Sequence, residues 1–249
     1  MKKILKTKSF ELALYMKGDT EASELALVLP GKLDTKDYPH MRSHVEYLAN
    51  RGYCALSFDP PGTWESKGDI SIYTVFNYHK AVNEVVEYFG NRPTFLVGHS
   101  RGGSIAMLAG IMNPYVRSFA SIMSYYTFLP KVHGEYPDNT WKEKGYRLSQ
   151  RDIPGQSAHK IKLYKLPYSF LEDQIMYDMG SALSVSKKPK LFMYGRKDTL
   201  VTPEVVKKGY EISLKPKQLQ ELDSDHDYRF NADLIQQANK YLGEFLDSI

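Results

Sequence analysis

Apolar residues along this chain follow two spacings that take turns. Nearly continuous apolar runs at residues 10–16 ("FELALYM"), 24–29 ("ELALVL"), 53–58 ("YCALSF"), 95–97 ("FLV") and 117–123 ("RSFASIM") predict buried strands. Between them, Met41, Val45 and Leu48 recur at helical spacing and stop at Gly52. Val75, Val82, Val85, Val86 and Phe89 mark the face of a second helix that ends near Gly90. The rhythm lapses over residues 125–171, which are rich in Tyr, Lys, Pro and Gly. A structureless loop of that length is unexpected in a compact domain. The stretch is therefore expected to form short helices or turns lying over the sheet as a lid insertion. Alternation resumes with a helix at 170–183, a strand at 190–195, a helix at 203–214, a strand at 217–222 and a last helix at 231–246. This order predicts the α/β class, with a mostly parallel central sheet flanked by helices on both faces. A single domain, 1–249, holds it all, with the insertion inside.

Composition narrows the partners. Net charge is +4, with the lysines scattered among acids, so no nucleic-acid partner is inferred. No segment approaches the roughly 20 apolar residues of a membrane span, and the first residues lack the continuous apolar stretch of a secretory signal. Cys54 is the one cysteine, placed in an apolar run where a small buried side chain is the expected role. These readings point to a cytoplasmic protein.

The chemistry begins at "FLVGHSRGGSIAML", residues 95–108. A strand that reverses into a helix over Gly98-His99-Ser100-Arg101-Gly102 forces the apex residue toward positive φ. For a serine that costs about 1–2 kcal/mol, a cost consistent with a hydroxyl that must be exposed. Such a serine needs a base, and in an open parallel sheet functional groups gather at the carboxyl ends of strands. His40, His44 and His79 fall on helices, His133 and His159 in the insertion, and His99 directly before the serine, pointing elsewhere. His226, after a late strand, is the candidate base. A metal cluster of Asp223, Asp225, His226 and Asp227 is disfavoured because no second histidine or cysteine supports it. The same edge argument nominates Asp198, in "KLFMYGRKDTLVTPE", to orient the imidazole.

The order Ser100, Asp198, His226 and the motifs "GHSRGG", "GRKDTLVTPE" and "DHDY" resemble those of the α/β-hydrolases, in particular the small esterases and serine-aminopeptidase-like members. "RGYCALSFDPPGTWES" is similar to that family's strand and D-x-x-G-x-x-x-S turn, through Asp59, Gly62 and Ser66. An oxyanion site is expected from the amide of Arg101, at a helix N-terminus, and from the loop after "ELALVL". There Lys32 is the candidate, with Leu33 behind it. Pro30 departs from the His-Gly common in the family.

The resemblance implies a serine hydrolase cleaving small to medium carboxylic esters through an acyl-enzyme, with no metal or organic cofactor. Two alternatives stay open. One is an aminopeptidase or amidase with an acidic anchor at Glu135, Glu172 or Asp173. The other is a protein that keeps the fold and only binds its ligand. Arg101 is either a carboxylate holder or a packing residue. Trp141, Tyr146, Tyr164, Tyr168 and Phe170 form either an aromatic pocket or the insertion's own core.

Overall fold

The computed structural model describes residues 3–133, 139–155 and 160–249. Its strands are β1 (Lys3–Lys6), β2 (Glu11–Lys17), β3 (Leu25–Leu29), β4 (Cys54–Phe58), β5 (Thr94–His99) and β6 (Val116–Ile122), then β7 (Tyr146–Asp152), β8 (Ile161–Pro167), β9 (Lys190–Gly195) and β10 (Lys217–Leu222). The helices are α1 (Pro39–Asn50), α2 (Val75–Tyr88), α3 (Arg101–Met112), α4 (Pro130–His133), α5 (Asn139–Lys144), α6 (Ser169–Gln174), α7 (Gly180–Leu183), α8 (Pro203–Ile212) and α9 (Ala232–Leu246).

Eight of the strands form one sheet in the order β1-β2-β4-β3-β5-β6-β9-β10. The pairs β1–β2 and β2–β4 are antiparallel, and the rest are parallel. Because strand side chains alternate faces, β3 sends Leu25, Leu27 and Leu29 to one core and Ala26 and Val28 to the other. The first core is closed by α2 and α3 through Val82, Val85, Ile105 and Ala109. The second is closed by α1 and α9 through Met41, Val45, Ile235 and Leu242. No described helix is long and apolar enough to cross a membrane.

The structure departs from the sequence reading in three places. The edge strand β1 was not anticipated, being only four residues with a lysine at each end. The helix expected at 170–183 is two short helices, α6 and α7. Between them the amide of Met179 donates to the carbonyl of Tyr126, and the amide of Phe128 donates to that of Tyr177, drawing the segment into an extended bridge. Within 125–171 the main element is an antiparallel hairpin, β7–β8, rather than helices and turns alone. Its inner face buries Tyr164 and Leu166 against the body. The Tyr38 hydroxyl donates to the Asp152 carbonyl at 2.9 Å, tying it down.

Candidate active site

Four loops leave the carboxyl ends of β3, β5, β9 and β10 and converge. Ser100 follows β5 directly and takes φ 53°, ψ −124°, the strained apex that the sequence implies. The turn is as tight as its glycines permit. A Cβ on Gly102 would lie 2.0 Å from the Leu29 carbonyl oxygen, and one on Gly98 would lie 2.2 Å from the Gly102 carbonyl carbon. No side chain fits at either position.

Asp198 lies three residues beyond β9 and is buried. Its Oδ1 accepts hydrogen bonds from the amides of Leu200 and Val201 at 2.8 and 2.9 Å. Its Oδ2 stands 2.7 Å from His226 Nδ1, and His226 Nε2 stands 3.0 Å from Ser100 Oγ. The carboxylate fixes the proton on Nδ1, which leaves the Nε2 lone pair facing the hydroxyl. The structure thus brings the three sequence candidates into one hydrogen-bonded line.

His99 does more than point away. Its Nε2 lies 3.0 Å from the carbonyl oxygen of His226. A carbonyl only accepts, so that nitrogen carries the proton and supports the loop behind the imidazole. His99 Nδ1 faces Asp34 Oδ2 at 3.8 Å, while Arg151 Nε from β7 stands 3.1 Å from Asp34 Oδ1. Burial pushes the Asp34 carboxyl up, but the charge of the Arg151 guanidinium beside it opposes this, and the carboxyl is held well below the usual carboxylate range. Burial pushes His40 and His99 down and His44 down to about 4, so this histidine group is neutral near pH 7. The ligand atoms of Asp34, His40 and His99 lie within 4.8 Å of one another. A dication there would face the guanidinium already on Asp34, so the cluster reads as support for His226. The Asp223, Asp225, His226, Asp227 set is spoken for as well. Asp223 pairs with Arg196 and Lys197, Asp225 accepts from the Asp227 amide, and His226 bonds Asp198.

The loop after β3 is clamped from several sides. The Leu33 amide donates to the Tyr73 hydroxyl at 3.0 Å, which commits it and leaves Lys32 as the better oxyanion candidate of the two. The Lys32 carbonyl accepts from Arg151 Nε and Nη2 at 3.0 and 2.6 Å. Pro30, the departure from the family pattern, offers its carbonyl to the Tyr78 hydroxyl at 3.1 Å. Asp59 accepts from Thr35 Oγ1 and the Lys36 amide, joining the D-x-x-G-x-x-x-S turn to this loop. Sequence reasoning missed Tyr73, Arg151 and Asp34, whose partners lie far away in the chain.

A cavity of about 550 Å³ opens on Ser100 and His226, with Tyr125, Phe128, Val132, Leu200 and Val205 as its apolar wall. The aromatic residues proposed from the insertion are elsewhere. Trp141 stacks on Phe170, which also stacks on Tyr73 in the first core of the body, Tyr164 accepts from the Trp64 amide, and Tyr146 faces solvent. Arg101 is buried, with its guanidinium bonded to Gln174 and set 4.1 Å over the Phe170 ring, a packing role. Glu172 is exposed, and Asp173 accepts from the amides of Val75 and Phe76 at the start of α2. Neither reaches the cavity. Glu135 and His159 lie outside the described residues.

Residues 27–153 match a family model described as the alpha/beta hydrolase fold. The chain is 24% identical over 176 residues to the palmitoyl-protein thioesterase ABHD10, mitochondrial, of Mus musculus. The match covers 70% of this chain and only 59% of that relative's length. Among solved structures, the mouse alpha/beta hydrolase domain-containing protein 10 superposes with a TM-score of 0.78 at 20% identity, covering 100% of this chain and 99% of that one. Est1E from Butyrivibrio proteoclasticus, with ferulic acid bound, superposes with a TM-score of 0.76 at 18% identity, over 98% and 99% of the two chains.

Proposed function

From the premise that this chain belongs to the α/β-hydrolase fold family, we propose that it is a serine hydrolase of carboxylic esters, thioesters included. The observation that carries this reading is the line Asp198–His226–Ser100, at 2.7 and 3.0 Å. His226 takes the Ser100 proton as Oγ attacks the acyl carbon, and Asp198 stabilises the imidazolium that forms. The oxyanion is received by the amides of Arg101 and Lys32, the first aided by the N-terminal dipole of α3. Collapse expels the alcohol or thiol, protonated by His226, and leaves the acyl group on Ser100. His226 then activates water to release the acid. The chain's own residues supply every step, so no metal or organic cofactor is invoked.

Residues 125–171 serve in this proposal as a lid inside a single domain, which limits the acyl group to small or medium size. The apolar wall of the cavity suits such an acyl chain. The relatives named thioesterases favour testing sulfur as well as oxygen leaving groups. An aminopeptidase reading loses Glu172 and Asp173 as anchors. The lone buried thiol of Cys54 fits an intracellular compartment, and fractionation decides between the cytoplasm and the mitochondrion for which the relatives are named.

The test is a rate profile across p-nitrophenyl esters of increasing chain length, the matching acyl thioesters and amino-acid p-nitroanilides, with Ser100→Ala as blank. Ester or thioester turnover that vanishes in Ser100→Ala supports the proposal. Turnover of the anilides alone overturns the ester assignment. No turnover together with tight ligand binding favours the binding protein.

A further inference from the structure

The outer face of the β7–β8 hairpin is unusual for a surface sheet. Register pairs Tyr146 with Pro167, Leu148 with Lys165, Gln150 with Leu163 and Asp152 with Ile161. By alternation these eight positions share the face opposite buried Tyr164 and Leu166, and at its end the Asp152 carboxylate turns back to Arg229 Nη2 at 2.8 Å. Exposure there is 39% for Tyr146, 60% for Leu148, 61% for Leu163 and 48% for Ile161. Leu148 and Leu163 are diagonal neighbours, so the four make one oblique apolar band. A solvent-facing antiparallel face normally carries polar residues, and a contiguous apolar patch marks an interaction site.

Charge surrounds this band. Residues 125–171 hold eight Lys and Arg against four Asp and Glu, while the remainder of the chain holds 25 of each. The whole net charge of +4 therefore resides in this one segment. Lys142, Lys144, Lys160 and Lys165 are exposed in and around the hairpin, with exposed Glu143 between the first two. The inner face of the same hairpin reaches the cavity through Arg151.

We infer that the outer face of this hairpin docks on an anionic lipid bilayer. A surface of acidic headgroups over an apolar interior takes up both features at once, lysines at the headgroups and leucines at the acyl boundary. A nucleic acid would use the charge and leave Leu148, Ile161 and Leu163 in water. The inference stands on the hairpin and the neighbouring α5 and does not depend on the reaction at Ser100.

The experiment is co-sedimentation of the full chain with phosphatidylcholine vesicles, with and without phosphatidylserine, at low and high salt. The expected result is binding to the phosphatidylserine vesicles at low salt, weakened about tenfold or more by high salt. Lys142→Glu with Lys144→Glu, and separately Leu148→Ser with Leu163→Ser, should each lower binding about tenfold. These side chains are exposed, so melting and hydrolysis of a water-soluble short ester should be unchanged. Absence of binding to the anionic vesicles overturns the inference. So does full binding by the leucine double variant, which would mean a site for any polyanion, and so does tighter binding to duplex DNA than to vesicles.

Discussion

Replacing Asp198 by Asn separates the orienting carboxylate from every other part of the site. Oδ1 of Asp198 accepts from two amides, Leu200 and Val201, at 2.8 and 2.9 Å. The Asn carbonyl oxygen inherits those bonds. Turning its NH2 toward them would oppose donor to donor and forfeit two buried hydrogen bonds, a cost of about 2–6 kcal/mol. The amide NH2 is thereby held facing His226 Nδ1, where the carboxylate Oδ2 lay at 2.7 Å. His226 must then accept at Nδ1 and carry its proton on Nε2, facing Ser100 with nothing to take the hydroxyl proton. Loss of the correct tautomer lowers kcat on the order of 10⁴-fold, about 5.5 kcal/mol of barrier. Because the buried hydrogen bonds are kept, the melting temperature should stay near that of the native protein. Asp198→Ala orphans both amides and should lose stability and activity together. The assay is kcat on the best p-nitrophenyl ester, with a thermal melt beside it. A folded Asp198→Asn protein within tenfold of native kcat would mean that the carboxylate does not set the His226 tautomer.

Three further outcomes follow from the same geometry. Gly102→Ala sets a Cβ 2.0 Å from the Leu29 carbonyl oxygen; urea unfolding should show a loss of about 1–3 kcal/mol or more, and unchanged stability contradicts the tight elbow. Arg151→Met removes both bonds to the Lys32 carbonyl and the partner of Asp34. It should lower kcat about ten- to a hundredfold with a smaller change in KM, and added guanidinium should restore part of the loss; an equal rise in KM at constant kcat argues for substrate binding instead. Acid should weaken the fold through His44, whose folded value is depressed to about 4. Between pH about 6.5 and 4 the unfolded chain binds a proton that the native fold refuses, so stability is full above that window and falls within it. For His44 alone the loss is about 3 kcal/mol, and a flat urea midpoint across the window would rule this out.

What the sequence made legible is local punctuation joined to one topological rule. Ser100, Asp198 and His226 each follow an apolar run and a turn, and parallel strands deliver such turns to one edge. The oxyanion loop was only half legible. Choosing Lys32 over Leu33 rests on Tyr73, 40 positions beyond Leu33, and the hold on Lys32 comes from Arg151, 119 positions beyond it. No local pattern encodes such pairs. The hairpin was within reach, since "YRLSQRD" and "IKLYKLP" each carry partial alternation, but the surrounding Lys and Tyr obscured it. The break at 175–179 was out of reach, because backbone pairing with residues 126–128 decides it.

An activated hydroxyl on Ser100 is read out by intact-protein and peptide mass spectrometry after exposure to a fluorophosphonate. One adduct is expected, on the peptide bearing Ser100, absent in Ser100→Ala and formed at least about a thousandfold more slowly in His226→Ala. A folded native protein that stays unlabelled, or that carries the adduct on another residue, would contradict it.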